Sequence, residues 1–309
     1  MSGFLHAHSD AFAQATAVLR RGRPLDRARL LFHFESGPAE LVVSALEAFQ
    51  NRDGGFHGLE PDVGIPASSV LCTCRALHTL HAVGAGAKDA IVQRALTYLL
   101  ASHDPSLEAW PIIPPHDNSA PHAPWWTYSG KFADNFGRYQ DNPRPDVLAC
   151  LYLFAHARTD SLRRHATDAV LKRLRTGSPD VEMHGLLCFL RLHEAPGIPE
   201  ELERELDRIL PGWIEKHVQR DPAKWTGYGL RPLDIAPTTA SVFCEQLGPS
   251  LDENLDFLVN SRDEDGGWQP TWNWGGTFPE AWPVAKRDWE AELTLQALLS
   301  LQSHGRIAR

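Results

Sequence analysis

Apolar residues recur at helical spacing along most of the chain, cut by Gly and Pro clusters, and alternating strand-like runs are nearly absent. The pattern predicts a first helix over about Ser9–Arg20, with Ser9 as N-cap. A second fits Asp26–Glu35, stopped by Ser36-Gly37-Pro38. A third runs over Ala39–Gln50, with Leu41, Val42, Ala45, Leu46 and Phe49 on one face. Further helices are predicted from Ser68 or Ser69 to Gly84, then over Lys88–Ser102, Asp146–His156 and Asp160–Arg175. The last five cover Asp180–His193 (with Ser178-Pro179 as N-cap and N1), Pro199–His217, Thr238–Leu247, Ser250–Ser261 and Ala285–His304. Between the fifth and sixth, His103–Arg144 is irregular, with a short helix expected near Gly130–Tyr139. An irregular segment of that length inside a compact domain points to function.

These segments amount to roughly twelve helices, or six helical hairpins, and no shift in composition marks a second domain. The expected fold is all-α: a single α/α toroid over residues 1–309, of the (α/α)6 kind, with a long loop at about 103–144. An open solenoid of stacked pairs is the alternative. Two ends of the chain are alike, which favours closure. Phe49-Gln50-Asn51-Arg52-Asp53-Gly54-Gly55-Phe56 returns near the C-terminus as Ser261-Arg262-Asp263-Glu264-Asp265-Gly266-Gly267-Trp268. In both places a helical pattern runs into a polar residue, then Asp-Gly-Gly-aromatic, then a loop and a second helical pattern.

The element Gln50-x-x-Asp53-Gly54-Gly55-Phe56 resembles the QW-type repeat of the squalene–hopene cyclase and protein prenyltransferase superfamily. Asp265-Gly266-Gly267-Trp268 is a second, degenerate copy, with Arg262 where the Gln should stand. The resemblance implies an α/α toroid with a central cavity, in which the repeat ties the end of an outer helix to the loop leading inward. It transfers no catalytic residue. The Asp-x-Asp-Asp acid of the triterpene cyclases has no counterpart; Asp263-Glu264-Asp265 comes nearest and overlaps the repeat. Protein prenyltransferases hold zinc with an Asp-x-Cys pair and a distant His, and no Asp-x-Cys occurs in this chain.

Composition narrows the partners. A net charge of −9 argues against nucleic acid, whose phosphates need a basic face. No run of eighteen apolar residues occurs, so no membrane span is expected, and the N-terminal residues do not read as a signal peptide. The five Cys (Cys72, Cys74, Cys150, Cys188 and Cys244) sit in apolar helical patterns and read as buried, reduced thiols of a cytoplasmic protein. Ten Trp must be buried, stacked or used.

Five segments carry candidate chemistry. His57, Glu60 and Asp62 lie ahead of the helix from Ser68; sharing a pocket would raise one carboxyl and make a general acid, whereas helix-end pairing is the bland reading. Trp125, Trp126 and Tyr128, in the long loop beside His116, Asp117 and Asn118, read as a lid or pocket wall. Asp146 falls in the first turn of a helix, where a dipole-stabilising role is the bland alternative. His184 shares a face with Asp180, beside Glu182. Trp272, Trp274 and Trp282 lead into Lys286, Arg287, Asp288 and Glu292, with Asp288 and Glu292 four apart on one face. Lys286 and Arg287 could hold an anionic head group.

No His-Glu-x-x-His, nucleophile elbow or phosphate-binding Gly loop is present. His78 and His81, like His6 and His8, lack a third ligand at a recognisable spacing, so no metal and no cofactor are expected. The leading expectation is a terpenoid cyclase- or prenyltransferase-like enzyme that binds an apolar or isoprenoid small molecule in an aromatic cavity. Asp62 or Glu60 would donate a proton, His57 or a nearby carboxylate would set its pKa, and Trp125, Trp126, Trp272 and Trp274 would stabilise developing positive charge. A glycan-cleaving toroid that pairs Asp146 or Asp288 with Asp62, and a non-catalytic binding protein, are the other readings.

Overall fold

A computed structural model describes residues 4–6, 9–177 and 180–308. Among them the chain is helical, with fourteen α-helical segments and one two-residue strand pair. β1 (Leu5–His6) leads to α1 (Asp10–Arg21), α2 (Pro24–Phe34) and α3 (Ala39–Glu47). Then come α4 (Val70–Ala82), α5 (Ala90–Ala101), the single turn α6 (Phe132–Asn135), α7 (Arg144–Leu153), α8 (Asp160–Thr176), α9 (Met183–His193) and α10 (Glu200–His217). Two single turns, α11 (Pro232–Ile235) and α12 (Cys244–Leu247), precede α13 (Pro249–Asn260), α14 (Trp282–Ser303) and β2 (Ile307–Ala308).

Most predicted helices form within a few residues of the expected bounds. Ser9 and Ser69 cap α1 and α4, accepting from the amides of Phe12 and Cys72. The cap of α9 is Glu182, which accepts from the His184 amide; the Ser178-Pro179 start predicted for that helix lies outside the described residues. Thr238–Leu247 is only partly helical: one turn forms, over Cys244–Leu247, after a stretch whose β-branched Thr238 and Thr239 resist helix. Cys244 is only half-buried there, unlike the other four thiols. The long irregular segment carries 3₁₀ turns at Pro124–Trp126 and Gly137–Tyr139 on either side of α6.

The chain forms two compact units, Met1–Ala45 with His217–Arg309, and Leu46–Lys216. Each holds one copy of the repeat, and the two copies are built alike. In the second unit the Gly54 amide donates to Asn51 O (3.0 Å), the Asn51 amide to Gly55 O (2.8 Å), and the Phe56 amide to Thr73 Oγ1 of α4 (3.0 Å). In the first unit Gly266 donates to Asp263 O (3.0 Å), Asp263 to Gly267 O (3.0 Å), and Trp268 to Thr294 Oγ1 of α14 (3.2 Å). Gly54 and Gly266 have φ of 90° and 88°, open to glycine at little cost. Gly54 presses flat on the Arg94 carbonyl of α5, and Gly266 on Gln14 of α1.

Within the first unit α14 packs on α1 and α2. β1 pairs with β2 in parallel, Leu5 opposite Ile307, so the two ends of the chain are stitched together. Leu19, Leu30, Leu255, Leu295, Leu298 and Leu301 fill the core beneath them. In the second unit α7 is the central helix. It packs against α4, α8 and α9 and buries every residue from Arg144 to Leu151.

The glycine contacts separate strain from crowding. A Cβ on Gly54 would stand 2.2 Å from Arg94 O, whereas one on Gly84, also at positive φ, meets nothing. Gly54→Ala is expected to lower stability by about 3 kcal/mol and Gly84→Ala by about 1 kcal/mol, read from urea midpoints. Equal losses would mean that the repeat is not packed as described.

Candidate metal centre

The centre of the second unit follows from helical spacing on three helices. Cys74 and His78 are four apart on α4, Asp146 and Cys150 four apart on α7, and Cys188 and Arg191 three apart on α9. Each pair therefore lies along one side of its helix. α7 lies against both α4 and α9, so its face supplies the two residues that the others meet.

His78 Nε2 is 2.6 Å from Asp146 Oδ1 and 3.7 Å from Cys150 Sγ. Arg191 Nη1 donates to the other oxygen, Asp146 Oδ2, at 3.2 Å. The Cys150 thiol also lies 3.9 Å from the Cys74 carbonyl oxygen. The nitrogen, oxygen and sulfur of His78, Asp146 and Cys150 all fall within 4.8 Å of one another. Carboxylate and thiol converge on the same ring nitrogen. In a nucleophilic triad they would divide between the two nitrogens, the carboxylate on Nδ1 and the nucleophile on Nε2. Cys150 is fully buried, which bars it from attacking a substrate but not from ligating an ion, while His78 keeps 29% of its side chain exposed and Arg191 45%.

Electrostatics follow the geometry. Burial works to raise the Asp146 carboxyl, but Arg191 and His78 outweigh it and hold the group down at about 2. Burial works to lower His78, and the Cys150 and Asp146 charges push it up to about 10. Burial raises the Cys150 thiol, and the Cys74 hydrogen bond with the His78 charge brings it to about 7. Burial and Asp146 push Cys188 well up, so it stays a thiol. Asp146 is therefore ionised and His78 is the proton donor of the cluster.

Of the residues expected in the sequence to catalyse or bind, Asp146 enters this centre directly. Beside it on α4, Arg75 binds Glu60 at 2.6 Å, which makes the buried Glu60 half of an ion pair. Asp62 is buried. Its carbonyl accepts from the Ala123 amide (3.0 Å) and Gly64 donates to Pro121 O (2.9 Å), so the His57–Asp62 segment and the Trp125 loop are joined through backbone. His57 holds Phe49 O through Nδ1. Trp126 is buried and stacks on Phe136, Tyr128 lies against Phe132 and His116, and Trp125 is exposed. His184 is exposed and pairs with Glu182.

The remaining candidates belong to the first unit. Glu292 is buried and bound by Arg29 at 2.6 Å, Asp288 faces Arg23 at 3.8 Å, and Arg287 is exposed. Trp272 sits edge-on to Trp289, while Trp274 and Trp282 border a cavity of about 360 Å³. His78 was noticed in the sequence and set aside for want of a third ligand, Cys150 was read only as a buried thiol, and Arg191 was missed. The available signal was the four-residue spacing of Asp146 and Cys150; the partner 68 residues upstream carried none.

Asp146→Asn leaves His78 and Arg191 together without their carboxylate. It is expected to cost about 3 kcal/mol in chelator-treated protein near neutral pH. His78 sits above its ordinary 6.5, so its share of stability is complete below that pH and fades as pH rises towards 10. The deficit of the variant should therefore narrow over the same range; urea titrations showing an unchanged deficit would contradict the pairing. No protein-family model and no curated protein matches the chain, so its chemistry is read from these side chains.

Proposed function

We propose that the chain is a zinc-dependent enzyme in which His78 Nε2, Asp146 Oδ1 and Cys150 Sγ hold one ion. The observation that carries this reading is the convergence of three different donor atoms within 4.8 Å. Imidazole, carboxylate and thiolate together suit a borderline-soft, four-coordinate cation, and three protein ligands leave one position for water or substrate. In such a tetrahedron donor atoms stand about 3.3–3.8 Å apart. The His78–Cys150 separation of 3.7 Å meets this, and the 2.6 Å His78–Asp146 contact is a direct hydrogen bond that must open to admit the ion. Arg191 on the second Asp146 oxygen orients the ligand. A bound ion of this kind activates a water or thiol nucleophile or polarises an oxygen.

The donor types are those that the resemblance to protein prenyltransferases implies, although Asp and Cys are four apart here instead of two. The α/α toroid belongs to the same proposal. In the first unit α14 leads from one repeat and packs on α1, as α4 leads from the other and packs on α5 in the second. That succession from the last helix to the first is what the seam of a closed ring requires. The substrate is read as an apolar or isoprenoid small molecule, supported by the aromatic segment of Trp126, Tyr128, Phe132 and Phe136. Of the carboxyls that the glycan-cleaving reading would use, Asp146 is held well down by Arg191 and His78 and does not suit a general acid. No helix among the described residues is long and apolar enough to cross a membrane.

Metal analysis tests the reading directly. Purified protein dialysed against zinc should retain about one ion per chain, with Cys150→Ser and His78→Ala each losing it. The cobalt-substituted protein should show a thiolate-to-metal charge-transfer band that Cys150→Ser abolishes. Retention of the ion by both variants, or no retention by the parent, would sink the proposal.

A further inference from the structure

The first copy of the repeat has a second face, away from its contacts with α4. There Arg52, Arg94 and Arg158 surround a depression of about 260 Å³, with Asp53, Gln93 and Thr97 completing its wall. Among the described residues no ion pair is formed by any of these three arginines. Three guanidinium groups facing one hollow stand out on a chain whose net charge is −9.

One of the arginines is held in place. Gln50 Nε2 donates to Gly54 O and to Ile91 O, both at 2.9 Å, which fixes its amide. Its oxygen then accepts from Arg94 Nε at 2.7 Å. The bond uses Nε and leaves the two terminal nitrogens of Arg94 for another partner. The floor is equally fixed, since Gly54 lies on the Arg94 carbonyl too closely for any side chain. Asp53, the one acid of the wall, spends Oδ1 on the Ser68 hydroxyl (2.7 Å) and the Gly55 amide (3.0 Å).

The second copy supplies a contrast inside the same chain. There Arg262 replaces Gln50 and turns its Nε to Val259 O, and the glycine lies against Gln14 instead of an arginine. The scaffold of the repeat is therefore kept with Gln14 in the place of Arg94, so Arg94 is not needed to build the turn.

We infer that this hollow is an oxyanion site that binds a phosphate or diphosphate group. Guanidinium forks match the paired oxygens of a phosphoryl group, and an arginine already immobilised loses less freedom on binding. The hollow is too small for a whole drug-sized ligand but large enough for one or two phosphoryl groups. The site does not depend on the metal centre.

Inorganic pyrophosphate is the probe, titrated calorimetrically into the full-length protein after chelator treatment, so that chelation of a bound ion cannot mimic binding. The double variant Arg94→Gln/Arg158→Gln is expected to weaken binding about tenfold or more. Arg52→Gln should weaken it less, and Arg262→Gln should leave it unchanged. Circular dichroism and thermal midpoints of the variants report that the fold is kept. Vesicles containing phosphatidic acid form the second arm: co-sedimentation that the double variant loses would keep the site and identify its anion as a lipid headgroup. Absence of binding to either probe, or equal binding by parent and double variant, overturns the inference.

Discussion

A carboxylate on a helix buried on every side through its first two turns is the constraint from which the second unit follows. Asp146 is 5% exposed, on a helix with no solvent-facing side through its first two turns. An isolated charge there would cost many kcal/mol, and the group would protonate instead. It remains ionised because α4 and α9 each deliver a cation to it, His78 to one oxygen and Arg191 to the other. Those two contacts set how the three helices meet. They also draw Cys150, one turn further along α7, up to the same imidazole nitrogen.

The repeat solves a different problem. A helix must end, the chain must turn inward, and the backbone groups of that turn must be satisfied out of water. In both copies a glycine at positive φ makes the turn, and a threonine hydroxyl of the following helix accepts the amide of the aromatic residue. The aromatic side chain is then sealed beneath it: Phe56 is completely buried and Trp268 nearly so. Two copies with the same bonds and different neighbours show that the turn is a structural module. What surrounds it can diverge, which is why chemistry is better sought beside the repeat than in it.

Reading acids from sequence worked for one residue in a particular way. Asp146 looked like a helix N-terminal carboxylate, and it does stand in the first turn of α7. What the local pattern hid was that all sides of that helix are buried, so the carboxylate has to be neutralised by side chains and not by water. Glu60 and Asp62 were noticed for their density, and the structure shows them buried, with Glu60 engaged by Arg75. The His78–His81 spacing was noticed and set aside for want of a third ligand; the other donors lie on α7, dozens of residues away.

Helices, their caps and the two Gly-Gly turns were legible from the chain alone because each depends on residues within one or two turns of one another. Ser9, Ser69 and the Asp-Gly-Gly signatures act locally, and their spacing is preserved in the sequence. The meeting of His78, Asp146 and Cys150, the lock of Gln50 on Arg94, and the docking of α14 on α1 were decided only by tertiary structure. Each joins positions 44 or more residues apart. Such distances leave no periodic trace, because what brings the groups together is the burial of helix faces that they do not themselves compose.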